Sequence, residues 1–181
     1  MGDSFGSKAG VAPLEAELVF RAIDVASEHD LAIASAQRRD SFVASFGSDA
    51  AFDEVKYFRY LARLAERLPG AVSFSLFGEE IAGQVEAQVL PNGTGYVNLY
   101  YLAPEWRGRG LGGQLHRYVV ALLRGQGVTT AELAVSPTNA RALSFYEKHG
   151  YRRLGLRPDA EPPVFEMHLD LTRATSPNTG S

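Results

Sequence analysis

Leu99-Tyr100-Tyr101-Leu102-Ala103-Pro104-Glu105-Trp106-Arg107-Gly108-Arg109-Gly110-Leu111-Gly112-Gly113 is the stretch on which the reading of this chain turns. Its first four residues are aliphatic and aromatic, as a strand requires, and Pro104 closes that run. Four glycines then fall within the six residues 108–113. Behind them Leu115, Val119, Leu122 and Leu123 recur at helical spacing. Without Cβ atoms, glycines let backbone N–H groups come close to a ligand. A helix that starts behind such a loop offers unpaired N–H donors and a partial positive charge, which together suit a pyrophosphate. Gly108, Gly110, Leu111, Gly112 and Gly113 are therefore candidate phosphate contacts, and Arg107 and Arg109 are expected to add charge-assisted hydrogen bonds.

The loop also satisfies G-x-G-x-x-G at Gly108, Gly110 and Gly113, the fingerprint of dinucleotide-binding folds. The context argues against that fold. Pro104, Glu105 and Trp106 separate strand from glycines, an antiparallel meander precedes the loop, and the chain leaves no room for a second mononucleotide half. A P-loop is excluded, because no Gly-Lys-Ser/Thr follows at the required spacing.

At 181 residues the chain is sized for one domain. Apolar residues make up 45% and charged residues 22%, the profile of a soluble globular protein. A net charge of −3 without a run of five like charges speaks against nucleic-acid binding. There is no cysteine, which removes disulfides, thiolate metal sites and a Cys nucleophile, and no metal is expected. No apolar stretch nears 18 residues, and MGDSFGSKAG at the start has neither the basic start nor the apolar core of a signal peptide. We therefore expect a cytoplasmic protein without membrane contact, a monomer or homodimer. Glycine is the one compositional excess, 18 residues in all. Outside the loop and the chain ends its frequency is ordinary.

The ends, 1–14 and 173–181, are rich in Gly, Ser, Ala, Thr and Pro and are expected to be disordered tails flanking a single domain over 15–172. Alternation over 17–23 predicts a first strand. Residues 26–45 fit a helix or helix pair, and Val55, Phe58, Ala62, Ala65 and Leu68 predict a helix ended by Pro69-Gly70. Strands follow at 71–77, 80–90 and 95–102, with turns short enough to make them antiparallel neighbours. A helix over 110–124, a strand over 129–135, a helix over 138–149 and strands near 151–156 and 163–171 complete the order. The fold class is α/β, a mixed sheet in the order β-α-α-β-β-β-α-β-α-β-β with helices on both sides.

With its neighbours, the glycine loop resembles motif A of the GNAT family of N-acetyltransferases, whose Arg/Gln-x-x-Gly-x-Gly/Ala positions are filled by Arg107, Gly110 and Gly112. A second match lies downstream. Asn139-Ala140-Arg141-Ala142-Leu143-Ser144-Phe145-Tyr146-Glu147-Lys148-His149-Gly150-Tyr151 resembles that family's Asn-x-x-Ala-x-x-Phe-Tyr-x-x-x-Gly-Phe/Tyr segment. The element order agrees over roughly 17–171. The resemblance implies that acetyl-CoA is the acetyl donor and lies where two parallel strands, here 95–102 and 129–135, splay apart at a bulge. It implies that the backbone of Tyr100, Tyr101 and Leu102 pairs with the pantetheine arm, that the Leu102 amide donates to the thioester carbonyl, and that Asn139 bonds the arm. Tyr146 is placed as the acid that protonates the departing thiolate. Physical readings stand beside these roles: Asn139, Ser136 or Thr138 also suits a helix cap, and Tyr146 shares a helix face with Ala142, Phe145 and His149, a pattern usual for core.

The chain departs from the family where many members carry a glutamate on the motif A strand to deprotonate the amine. Asn98 stands there, and an amide accepts no proton at neutral pH. Glu86 on the preceding strand is the candidate base, with an exposed strand carboxylate as its ordinary reading. His116 and His149 look like packing or surface residues. The acceptor is expected to be a small-molecule or peptide amine, held by residues 26–68 and the 157–163 loop. Phe42, Phe46, Phe52, Tyr57 and Tyr60 are expected to be mostly core, while Asp159, Glu161 and Glu86 hint at a cationic amine. A catalytically silent acyl-CoA-binding or regulatory module of the same family is the alternative function.

Overall fold

A computed structural model of the chain describes residues 17–157 and 159–173. The tail expected at 1–14, and all but Arg173 of that at 173–181, lie outside them. The elements follow in the order β1 (Val19–Ala22), α1 (Glu28–Phe46), α2 (Glu54–Arg67), β2 (Val72–Phe77), β3 (Glu80–Val89), β4 (Gly95–Leu102), α3 (Gly112–Gly125), β5 (Thr130–Val135), α4 (Ala140–Lys148), β6 (Arg152–Arg157) and β7 (Val164–Asp170). The predicted α/β order and mixed sheet are thus found.

Local sequence sets the element ends. Ser27 caps α1 by accepting from Asp30 N–H, and Gly47 ends it in the left-handed conformation. Asp53 caps α2 in the same way through Lys56 N–H. The third helix was expected from residue 110, yet it begins at Gly112, because Gly108 and Gly110 hold φ of +75° and +78°, outside the helical region. The fourth starts at Ala140 because Asn139 caps it.

The seven strands lie in the order β1-β2-β3-β4-β5-β7-β6. Every neighbouring pair is antiparallel except β4 with β5. Helices cover both faces. On one, Tyr57, Leu61 and Leu64 of α2 and Ala34 of α1 pack on Val72 and Phe74. On the other, Leu115, Val119 and Leu123 of α3 and Leu143 of α4 pack on Val85, Val97 and Leu133. No helix among the described residues is long and apolar enough to cross a membrane.

One irregularity decides where a site can form. Leu99 pairs with Glu86 and Val97 with Ala87, which leaves Asn98 as an extra residue in β4. An extra residue reverses the side-chain phase, so Val97, Tyr100 and Leu102 all join the α3 side. The parallel ladder with β5 ends at the same point: only Gly95 with Ala131 and Tyr96 with Glu132 are paired. Beyond Tyr96 the two strands separate.

Candidate active site

The gap between β4 and β5 opens into a cavity of about 1290 Å³, roofed by α1 and floored by the beginning of α3 and by α4. Of the sequence candidates, Tyr100, Tyr101, Leu102, Arg107, Gly108, Gly110, Leu111, Gly112, Gly113, Asn139 and Tyr146 line it, whereas Arg109 and Glu86 do not.

The β4 edge faces this space. Ala103 N–H donates to Ala82 of the β3 side at 2.9 Å, so by strand alternation the Leu102 peptide points the other way, into the gap. The glycine loop continues from that edge. No side chain caps α3, so its first N–H groups are available to an anion. Gly112 has a packing reason as well: a Cβ there would sit 2.9 Å from Phe145 Cε2, and its absence lets α3 approach α4.

Neither expected arginine points its guanidinium at the cradle. Arg107 donates from Nε to Leu102 O at 2.7 Å and from Nη2 to Asp40 at 2.8 Å, beside the Tyr101 hydroxyl, which donates to the same carboxylate at 2.9 Å. Arg109 lies over the Trp106 ring, 4.8 Å from its centroid. The cations that line the cavity from α4 are instead Arg141 and Lys148. Both stood in the quoted downstream motif, yet their charge had no pattern to mark it.

Tyr146 sits among aromatic rings, with centroids of Phe145, Tyr151 and Tyr100 at 5.6, 5.5 and 6.3 Å. Burial pushes its phenol well above the ordinary tyrosine range, so it keeps its proton at neutral pH. Behind it, His116 is 4% exposed and lies beside His149, the ring centroids 4.7 Å apart and the planes tilted by 59°. Burial, helped by the charge of His149, pushes the His116 imidazole down to about 4. Asn139 caps α4 by accepting from Ala142 N–H at 3.1 Å, and its amide donates to Ser45 of α1 at 3.2 Å across the cavity. The capping alternative is therefore met, with Asn139 still on the cavity wall.

Glu86 differs most from expectation. It is fully buried rather than exposed, on the α1 and α2 side of the sheet, and it does not reach the cavity. Tyr57 hydroxyl donates to it at 2.8 Å, Gln84 amide at 3.0 Å, and Arg38 Nη1 lies 3.5 Å from its other oxygen. The reason is periodicity: Gln84, Glu86 and Gln88 share one face of β3, and α1 and α2 cover that face. Among the aromatics of the first helices, Tyr57 is core, but Phe42 and Phe46 line the cavity. No group of three or more His, Asp or Glu side chains that could hold a metal occurs among the described residues.

The sequence pattern of the acetyltransferase (GNAT) family matches residues 32–151, and the chain belongs to that family. Its fold is shared by yncA from Salmonella typhimurium, whose structure contains acetyl-CoA, at 17% identity and a TM-score of 0.69, covering 91% of this chain and 99% of the other. PaiA N-acetyltransferase from Thermoplasma acidophilum, in complex with coenzyme A, aligns at 17% identity and a TM-score of 0.67 over 85% and 99%. AAC(6')-Ib, in complex with paromomycin and acetyl-CoA, aligns at 23% identity and a TM-score of 0.67 over 89% and 99%.

Proposed function

We propose that the chain transfers the acetyl group of acetyl-CoA to a primary amine by direct attack in a ternary complex. The observation that carries this reading is the meeting, in one cavity, of an open β4 edge, an uncapped α3 start behind left-handed glycines, and a tyrosine that keeps its proton. The residues fit the donor in size and kind: a peptide-like arm suits a strand edge, phosphates suit a helix start that shares its cavity with Arg141 and Lys148, and the cavity holds both.

Acetyl-CoA supplies the activated thioester; the chain supplies position and protons. The Leu102 N–H donates to the carbonyl oxygen as negative charge builds there. The amine nitrogen bonds to the carbonyl carbon, the carbon–sulfur bond breaks, and Tyr146 gives its proton to the sulfur. The amine's proton leaves through water, which returns a proton to the Tyr146 phenolate, since Glu86 lies outside the cavity and Asn98 cannot take it. With no Cys in the chain, no thiol acyl-enzyme forms.

Asn98 in place of a base and the sequestered Glu86 support the catalytically silent alternative. Thermal unfolding with acetyl-CoA, CoA and NAD tests the cofactor assignment, since a ligand that binds only the folded state raises the melting temperature. A rise with acetyl-CoA and CoA is expected, and a rise with NAD alone overturns it. Thiol release on adding amines then separates enzyme from silent module.

A further inference from the structure

We infer that Arg38 receives an anionic group of the acceptor, and that the acceptor class is a primary amine carrying a carboxylate, as an amino acid does. This rests on the acetyltransferase reading and narrows its substrate.

Arg38 reaches the cavity from α1 with 20% of its side chain exposed. Its guanidinium is fixed on one side only. Nη1 lies 3.0 Å from Asn98 O and 3.5 Å from a Glu86 oxygen, and the group lies 5.5 Å from the Phe42 and 6.0 Å from the Tyr57 ring centroids. Among the described residues neither Nε nor Nη2 has a hydrogen-bond acceptor. That leaves a two-donor edge, and a planar donor pair matches a carboxylate bidentately, as it does a phosphate.

Position makes that edge relevant to the acceptor. Arg38 is anchored at the Asn98 bulge, beside Tyr96, the last β4 residue paired with β5. It also lines the same cavity as Tyr146. An amine that attacks beside Tyr146 therefore enters the space that Arg38 borders. Of the other cavity cations, Arg141 and Lys148 stand on α4, and Arg107 is bound by Asp40.

The charge of the lining points the same way. No aspartate or glutamate among the described residues lines the cavity. Asp40 nearby shares its Oδ2 with Tyr101 and Arg107, Glu86 is behind Arg38, and Asp159 and Glu161 do not reach the wall. A polycationic acceptor would find no carboxylate on the cavity wall, so the expectation drawn from Asp159, Glu161 and Glu86 has no support in the lining. Because Glu86 already balances the charge of Arg38, the gain from an arriving carboxylate comes from two oriented hydrogen bonds. That corresponds to about tenfold in binding.

The test measures thiol release at fixed acetyl-CoA with matched pairs, the L-α-amino acids against their α-amides, with spermidine and an N-terminal peptide amide alongside. The expected result is a kcat/KM about tenfold higher for acids than for their amides, carried by KM. In Arg38→Gln the acid and amide of each pair should become equal, while stabilisation by acetyl-CoA persists. Should that variant fail to fold, the wild-type ratio decides alone. Release with amides equal to acids, or confined to spermidine or the peptide, overturns the inference and leaves the acetyltransferase reading standing. Release with no amine at all overturns both.

Discussion

The carbonyl oxygen of Asn98, the extra residue in β4, is held by Arg38 Nη1 at 3.0 Å. A bulge frees a peptide from its ladder, and a partly buried carbonyl without a partner is costly. Arg38 satisfies it from a helix, so the residue that breaks the sheet also ties α1 over the opening it creates. Glu86, in turn, sits against Arg38.

Removing Glu86 should therefore be expensive for the fold. Glu86→Ala leaves Arg38 without its buried counter-ion and the Tyr57 hydroxyl with only the distant Ala34 O, 3.5 Å away, a loss of about 3–5 kcal/mol. Glu86→Gln keeps an acceptor for Tyr57 and should lose clearly less. Urea unfolding of the two variants checks both the size and the order.

Gly112→Val probes the cradle. Its Cβ would press on Phe145 Cε2 at 2.9 Å and its branches would crowd the first N–H groups of α3. Overpacking of this kind costs about 1–3 kcal/mol. Acetyl-CoA should stabilise the variant less than the wild type in thermal unfolding, a comparison made at equal ligand concentration.

His116 makes stability depend on pH. Its folded pKa is depressed to about 4, whereas the unfolded chain titrates near the ordinary value, about 6.5. Between these values the unfolded state binds more protons, so stability is full above the upper one and falls as pH drops toward the lower. The loss is on the order of 3 kcal/mol when the whole window is crossed. His116→Gln should flatten that part of the stability profile, measured by urea unfolding across the window.

Asn139→Ala removes the α4 cap and the contact with Ser45. Loss of such a cap costs about 1 kcal/mol. Asn139→Asp restores the accepting oxygen but cannot donate to Ser45, so it should recover stability and isolate any effect on acetyl-CoA affinity, which a titration would read.

The glycine loop, the strand before it and the α4 segment were legible because their spacing encodes backbone geometry: left-handed glycines, a cap and a close helix approach each leave a residue signature. The antiparallel pairing of β2, β3 and β4 was legible for the same reason, through short turns at Gly78 and at Pro91-Asn92-Gly93. What the sequence hid was burial of polar groups. Gln84 and Glu86 look solvated in a strand pattern, and only the placement of α1 and α2 over that face reveals a core network. Arg38 was hidden likewise, since α1 has no strong apolar stripe and buries Asp30, Ser35 and Gln37. The side-chain directions of Arg107 and Arg109 depend on Asp40 and Trp106, and on tertiary contacts that no local spacing records.

The most direct test is the turnover of Tyr146→Phe in thiol release from acetyl-CoA with an accepted amine, measured beside its acetyl-CoA affinity. The substitution removes one hydroxyl and leaves the ring in its aromatic surroundings. If Tyr146 delivers the proton to sulfur, kcat should fall about 100-fold or more with affinity nearly unchanged. An unchanged kcat would contradict its role, and absence of any amine-dependent release from the wild-type protein would contradict acetyl transfer itself.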